Sequence, residues 1–370
     1  MRCKHRILAV LLFSILTSAC HDTGNHTSGN ILKYPEFITI NYTGRDCIDA
    51  TVMNPWKKEK VLHSYILYGK EQNDIIPTRV KSPVHIPLKR AVVMSNSHCR
   101  LLSELGIAHA IAGVCESEYI SDPVILAGIQ DGSIIDCGNS MYPNIEKIIE
   151  LHPDAILLSP FEDSGYGQLE KLGIPLIECA DYMETSPLGR AEWMRFYGLL
   201  FGVGEKADSL FESVSSSYIS IKEKASGYSA RPKVMLDTKG GSAWYMAGGR
   251  STVGQLIADA GGEYILAEDN HPGAIPLSFE SVYEKAADSD IWLLKNSIAK
   301  NLTYAALAQD FQSYTRFKPY QTHNIWVCNV YETPYFEITP FHPELLLQDF
   351  VSIFHTGNTD SVRFYLPMQE

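Results

Sequence analysis

Several short apolar runs in this chain of 370 residues are each followed by polar and aromatic side chains able to hold a ligand. Ser95, Asn96 and His98 follow one run, Glu116, Glu118 and Tyr119 another, and Phe161 and Tyr166 a third. The second half offers Trp244 and Tyr245, His271, and Lys295 with Asn296. Aromatic faces suit a large planar macrocycle, through stacking and apolar burial. An imidazole at His98 or His271 could ligate iron or cobalt, although a lone histidine is more often a structural or surface residue. Trp244, after Gly240-Gly241-Ser242, has two readings: an aromatic of the cleft or an aromatic of the core.

Covalent chemistry finds no constellation. No G-x-S-x-G elbow exists, and Ser97 beside His98 cannot form a triad by adjacency. Gly202-Val203-Gly204 with Ala207 imitates G-x-G-x-x-A, but it follows a helical pattern rather than a strand. His342-Pro343-Glu344 and Asp136-Cys137-Gly138 lack metal-motif spacing, so neither catalytic residues nor a resident metal are expected.

The composition is that of a folded chain, 45% apolar and 20% charged, long enough for two ordinary domains. The net charge of −12, without a Lys/Arg run, argues against nucleic acid, whose phosphates need a basic face. At the start, Arg2, Lys4 and Arg6 precede the apolar stretch Ile7 to Leu16, too short to span a bilayer of about 30 Å. Residues 1–19 therefore read as a signal peptide. Thr17-Ser18-Ala19 before Cys20 resembles the lipobox of bacterial lipoproteins, with Leu16 one step earlier than usual. The resemblance implies cleavage before Cys20 and acylation there; plain secretion with cleavage nearby is the alternative. Several acyl chains, at about 0.8 kcal/mol per buried CH₂, would anchor the chain durably. Cleavage would remove three basic groups and no acid, leaving a charge of about −15. Residues 20–30 then form a polar tether. The remaining cysteines, Cys47, Cys99, Cys115, Cys137, Cys179 and Cys328, are scattered without C-x-x-C and read as mostly buried small hydrophobes.

The elements that must position the candidate residues follow a clear order. Residues 31–88 are β-rich, with runs Phe37 to Tyr42, Ile48 to Met53 and Val61 to Tyr68. From 89 to 200, strands Ala91 to Met94, Ala110 to Cys115, Ala155 to Leu158 and Pro175 to Glu178 alternate with helices at Cys99 to Leu105, Asn144 to Leu151 and Gly167 to Leu172. Such alternation predicts a parallel sheet covered on both faces. Pro187 to Phe201 is helical, and after Gly202 a helix from Glu205 to about Ser226 would run roughly 33 Å within a linking segment 201–230. Residues 231–356 resume the alternation: strands Lys233 to Asp237, Ile291 to Lys295 and Ile325 to Asn329, helices Ser251 to Ala260, Phe279 to Ala287 and Pro343 to Phe354. Residues 357–370 read as a tail. The expected fold is α/β, two Rossmann-like lobes joined by one long helix, with a small N-terminal β-rich extension. The halves rhyme: Asn144-Ile145-Glu146 leads to Asp154-Ala155-Ile156, and Ser278-Phe279-Glu280 leads to Asp290-Ile291-Trp292.

Lys89 to Ser95, Leu105-Gly106, Ile111 to Val114, Asn144 to Ile156, Leu172 to Pro175 and Ser278 to Val282, taken in order, resemble the iron-chelate and cobalamin solute-binding proteins of bacterial ABC importers. The resemblance spans about Lys89 to Thr356 and leaves the β-rich extension outside. It implies a cleft between lobes, holding a ferric siderophore, haem or cobalamin, to which the loops after the strands would offer Ser95, His98, Glu118, Tyr119, Phe161, Tyr166, Trp244, Tyr245, His271 and Lys295. It also implies an exported, membrane-anchored monomer that delivers its cargo to an ABC permease and its ATPase. Glu146 and Glu280 would be the permease-docking acids; as first-turn residues they could equally serve their own helix dipoles. No resident cofactor is implied, because iron or cobalt would arrive inside the cargo. The competing readings are an anchored enzyme that remodels or demetallates such a cofactor, and a binder of bare zinc or manganese.

Overall fold

A computed structural model describes residues 29–43, 47–69, 82–297 and 302–370. The expected signal peptide, Cys20, most of the tether and part of the extension lie outside the described residues.

The extension is a four-stranded sheet in the order β1 (Ile38–Tyr42), β2 (Cys47–Met53), β3 (Val61–Tyr68) and β4 (Pro83–His85). Alternation puts Ile38, Ile40, Ala50, Val52, Tyr65 and Leu67 on one face, and that face shares a core with the first lobe. Two buried carboxylates clasp the segment before β1. Glu192 accepts the backbone N–H of Lys33 (2.9 Å) and Tyr34 (2.7 Å), and Glu184 accepts those of Glu36 (2.8 Å) and Phe37 (2.9 Å). The extension also covers a sheet edge: the Tyr65 hydroxyl donates to the Leu176 carbonyl (3.0 Å) and accepts from the Glu178 N–H (2.9 Å).

The first lobe is built on β5 (Ala91–Val93), β6 (Ile111–Val114), β7 (Ile135–Asp136), β10 (Ala155–Leu158) and β11 (Leu176–Glu178), ordered β11-β10-β5-β6-β7 and all parallel. A small hairpin, β8 (Gly138–Asn139) and β9 (Tyr142–Pro143), follows β7. Helices α1 (Asn96–Glu104), α2 (Pro123–Asp131) and α3 (Ile145–Leu151) link the strands. Helix α2 was not expected from periodicity; its start is signalled by Asp122, which caps Val124 and Ile125, and by Pro123 at the first position. The helix expected at Gly167 to Leu172 is only a 3₁₀ turn over Leu169–Lys171.

Helix α4 (Pro187–Leu200) is almost wholly buried and turns into α5 (Gly204–Ser226). The two helices cross so closely that a Cβ on Gly198 would lie 2.4 Å from the Ala207 Cβ. The 23 residues of α5 span about 34 Å.

The second lobe orders β14 (Glu263–Tyr264), β12 (Lys233–Leu236), β16 (Ile291–Asn296), β17 (Ile325–Asn329) and β18 (Leu366–Pro367), antiparallel only at β18. A hairpin of β13 (Trp244–Ala247) and β15 (Ala274–Leu277) stands beside it. Its helices are α6 (Thr252–Asp259), α7 (Phe279–Ala286), α8 (Tyr304–Asp310), α9 (Lys318–Gln321), α10 (Tyr335–Ile338) and α11 (Pro343–Val351). The segment 357–370 is part of this lobe rather than a tail. It supplies β18 and buries Phe364, Tyr365 and Met368, because Asp349 accepts the N–H groups of Arg363 (2.9 Å) and Phe364 (2.7 Å).

The rhyme between halves is structural. Asn144 and Ser278 cap α3 and α7 through Lys147 N (3.0 Å) and Ser281 N (3.1 Å). Asp154, before β10, accepts the N–H groups of Lys89 (2.7 Å) and Arg90 (2.9 Å) ahead of β5. Asp290, before β16, accepts that of Lys233 (2.8 Å) at the start of β12.

The lobes are tied at several places. Besides α5, the α10–α11 segment reaches across: Glu337 accepts both the N–H and the hydroxyl of Ser121, each at 2.6 Å, and Phe341 enters the first core. His342 bridges Glu104 (2.8 Å) of the first lobe and Glu344 (2.9 Å) of α11. Burial alone would lower this imidazole's pKa, but the two carboxylates outweigh burial and hold it at about 9. Raised above its ordinary value of 6.5, the group stabilises fully below that value and loses its contribution as pH rises through 9. Calorimetric unfolding should thus show stability falling between pH 7 and 9 by an amount on the order of 2–3 kcal/mol. In His342→Gln that fall should shrink; an unchanged slope would refute the bridge.

Candidate functional site

Both sheets reverse their strand order once, in the first lobe between β5 and β10 and in the second between β12 and β16. In open α/β sheets the crevice beyond the strand ends at such a point is where ligands bind. A cleft of about 680 Å³ opens there, beyond β5 and β10. Met94 to Ser97 after β5, Leu158 at the end of β10 with Ser159 and Phe161 after it, and the loop from Ser164 to Leu169 form its floor and one side. Glu116 after β6 and the β8–β9 hairpin from Ser140 to Pro143 form the other, while Phe336 enters from the second lobe.

Local structure fixes these side chains. Glu116 sits in the left-handed region (φ 53°), unusual for a residue with a Cβ. Its Oε1 accepts from Asn139 Nδ2 (2.9 Å) and Ser140 Oγ (3.2 Å), so the hairpin holds the carboxylate against the cleft. Ser95 and Ser97 hydroxyls lie 2.9 Å apart at the start of α1. Tyr166 donates its hydroxyl to Glu178 Oε1 (2.5 Å), and Glu178 Oε2 meets His63 Nδ1 (2.9 Å) of the extension. Burial, then the adjoining Glu178 carboxylate, pushes the Tyr166 phenol far above its ordinary range, so it remains a donor. The rim is apolar and open: Tyr142 is 85% exposed and Phe336 60%.

Of the residues expected at a ligand site, Ser95, Asn96, Glu116, Phe161 and Tyr166 line this cleft. Glu118 and Tyr119 are exposed on the turn after β6, outside the lining. His98 is a correction. Helix α1 turns it inward, where Nε2 meets Asp181 Oδ1 (2.8 Å) and the Tyr197 hydroxyl (2.9 Å), so it is buried and closed to a metal chelate. Trp244 is another. Strand alternation on β13 sends it into the core against Trp292, Tyr314 and Phe317, with Nε1 donating to the Leu236 carbonyl (3.1 Å). The same alternation leaves Tyr245 exposed, though outside the cleft lining. His271 is exposed and pairs with Asp269 (3.0 Å), and Lys295 is paired with Asp237 (2.8 Å); neither lines the cleft.

Met94, the β8–β9 hairpin, the neighbours of Tyr166 in the Ser164 to Gln168 loop and Phe336 were not anticipated. The hairpin carried a signal, since Met141-Tyr142 are large apolar residues in a polar turn between Gly138 and Pro143. Phe336 carried only its place in a turn-rich aromatic stretch. Among the described residues, no group of three or more His, Cys, Asp or Glu could hold a metal ion. The thiols of Cys115 and Cys137 are pushed up by burial to about 12 and about 11, so neither is a thiolate near neutral pH.

A family model described as "Periplasmic binding protein" matches residues 92–328. The uncharacterized lipoprotein MJ0878 of Methanocaldococcus jannaschii is 25% identical over 352 residues, covering 88% of this chain and 82% of its own. Among solved structures, a possible iron-binding periplasmic solute-binding protein of Staphylococcus epidermidis aligns with a TM-score of 0.59 at 16% identity, over 73% of this chain and 100% of that one. IsdE of S. aureus, solved in complex with heme, aligns at 0.57 and 19%, over 72% and 99%. At these identities the two structures demonstrate a shared fold.

The opposite placements of two expected ligand aromatics can be measured. In urea unfolding, Trp244→Ala should cost about 3–5 kcal/mol, as a cavity in a tight aromatic core does. Phe161→Ala, on a ring half open to solvent, should cost less than about 1 kcal/mol. Equal costs would contradict the assignment of one to the core and the other to the cleft.

Proposed function

We propose that this chain, which belongs to the periplasmic binding protein family, is the envelope-anchored substrate-binding protein of an ABC importer, capturing a metal chelate between its lobes and delivering it to the permease. The observation that carries the reading is the cleft of about 680 Å³ at the first lobe's switch point, to which the second lobe contributes Phe336. Its volume falls within the usual range for small-molecule sites, about 300–1,000 Å³. Its open aromatic and methionine rim offers flat apolar contact to a bulky, rigid guest. Ferric siderophores, haem and cobalamin are such guests.

Capture needs little motion in this reading. The lobes are held by α5 and by the α10–α11 contacts, so binding leans on a mostly preformed site and loses little to reordering. Anchoring rests on Cys20. Docking rests on Glu146 and Glu280, both exposed in the first turns of α3 and α7, at matching places in the two halves. Basic residues on a permease and its coupled ATPase complex would meet this pair of acids, which adds orientation and encounter rate more than affinity.

Titration calorimetry on the full-length chain in detergent tests capture, with a ferric tris-hydroxamate, haem and cyanocobalamin as probes. One-to-one binding at micromolar Kd or tighter, about −8 kcal/mol, is expected for at least one. Phe336→Ala should weaken that binding about tenfold. Failure of every probe would refute chelate capture. For docking, Glu146→Lys with Glu280→Lys should abolish uptake into vesicles carrying the permease while the chelate Kd stays unchanged. Loss of binding in that double variant would place the acids in the ligand site instead.

A further inference from the structure

Chelates of one metal differ most in charge, and the cleft is unusually one-sided in that respect. Among the described residues that line it, Glu116 is the one carboxylate, and none is Lys, Arg or His. Cations on neighbouring elements are already engaged. Lys57 pairs with Asp163 (2.5 Å), Arg190 with buried Asp181 (3.2 Å) and Lys295 with Asp237 (2.8 Å), while Lys147 Nζ donates to the Asp136 carbonyl (2.7 Å). The first three therefore meet a carboxylate before a guest arrives, while Lys147 meets a backbone carbonyl and lies outside the lining.

Glu116 is held for use. Both of its hydrogen bonds among the described residues go to Oε1, from Asn139 and Ser140, and none engages Oε2. A second carboxylate, Asp136, adjoins this corner, with Oδ2 accepting from Ser117 Oγ (2.6 Å) and Oδ1 from Gly138 N (2.8 Å). The corner thus combines two acids, with its one nearby base, Lys147, bonded to a backbone carbonyl outside the lining. A trianionic or dianionic chelate would be pressed against like charge in a partly desolvated site. A chelate with an ammonium or N–H group would gain a charge-assisted hydrogen bond at Oε2. The net charge of −12 works in the same sense at long range, slowing approach of anions.

We propose that the cleft selects metal chelates that carry no net negative charge, and that Glu116 sets this selection by accepting from a cationic amine on the guest. The inference rests on the chelate-capturing reading above and narrows it to a substrate class: neutral or cationic chelates, with tris-hydroxamates bearing a pendant amine as the type and tris-catecholates and haem excluded.

Three iron chelates separate the terms. Ferrioxamine B carries a free ammonium, its N-acetyl derivative keeps the same iron coordination without that charge, and a ferric tris-catecholate is a trianion. Calorimetry on the full-length chain should rank them in that order. The ammonium form should bind about tenfold tighter than the acetylated one, and the trianion about a hundredfold weaker than the acetylated one. Glu116→Gln should erase the first gap, and a urea-unfolding midpoint matching that of the native chain shows that the variant is folded. Glu116→Lys should bring the trianion above the cation. A tris-catecholate that binds the native chain as tightly as ferrioxamine B, or a gap that survives in Glu116→Gln, overturns the proposal. Tight haem binding overturns charge selection while chelate capture stands. Silence from all three probes and from haem and cyanocobalamin overturns chelate capture and charge selection together.

Discussion

Helix α5 buries Phe211 and Val214 in one core and Tyr218 and Ala225 in the other, so the spacing of the two lobes is set along a single rod. A helix resists bending because its backbone hydrogen bonds act in series, and here its first half is also locked against α4 at the Gly198–Ala207 contact. The cleft beyond β5 and β10 inherits that rigidity. The α10–α11 segment reinforces it at a distance, with buried Glu337 holding Ser121 and Phe341 seated in the first core. Phe336, on the same short helix as Glu337, is thereby delivered to the cleft mouth from the opposite lobe.

The β-rich extension is integral to the first lobe. Its Tyr65 hydroxyl satisfies the Leu176 carbonyl and the Glu178 N–H on β11, groups that an edge strand would otherwise leave exposed. Its connection continues to the site: Ser82, His63, Glu178 and Tyr166 form an unbroken hydrogen-bonded line from the extension to the cleft wall. The clasp at its start is costly to ionise. Burial drives the Glu184 carboxyl up to about 7, only partly opposed by the N–H groups of Glu36 and Phe37 and the Trp193 indole. That cost is borne where two segments far apart in sequence must meet in one way only.

Charge is distributed by the same logic. Buried acids occupy structural posts, each with its own donors: Asp181 takes His98, Tyr197 and Arg190, and Asp349 takes the chain after α11. Glu116 differs in having a half-used carboxylate at a surface that a guest can reach, on a backbone held in a conformation that L-residues avoid. Strain of this kind persists only where the surroundings over-determine it, here the hairpin that follows β7.

Local sequence determined much of the fold. Continuous apolar runs such as Ala155 to Leu158 marked doubly covered parallel strands, and caps such as Asn144 and Ser278 marked helix starts within a residue or so. The repeated acid before β10 and β16 was visible as a rhyme, although its role of pinning the neighbouring strand's entry was not. The loops after β5 and β10 were legible as one side of a site for the same reason, since strand ends can be read from the runs that precede them. Direction was not legible. Trp244 and Tyr245 are adjacent in sequence, yet one lies in the core and the other in water, because the pairing of β13 with β15 decides which face looks inward. His98 went to the core for a like reason, the rotation of α1 against α4. Likewise Phe336, the second lobe's contribution to the cleft, and the residues after 356, which close the second sheet, depend on contacts between segments distant in the chain. Periodicity reports what a residue's near neighbours require; which surfaces face each other across a cleft is settled only when the packed cores fix where those elements stand.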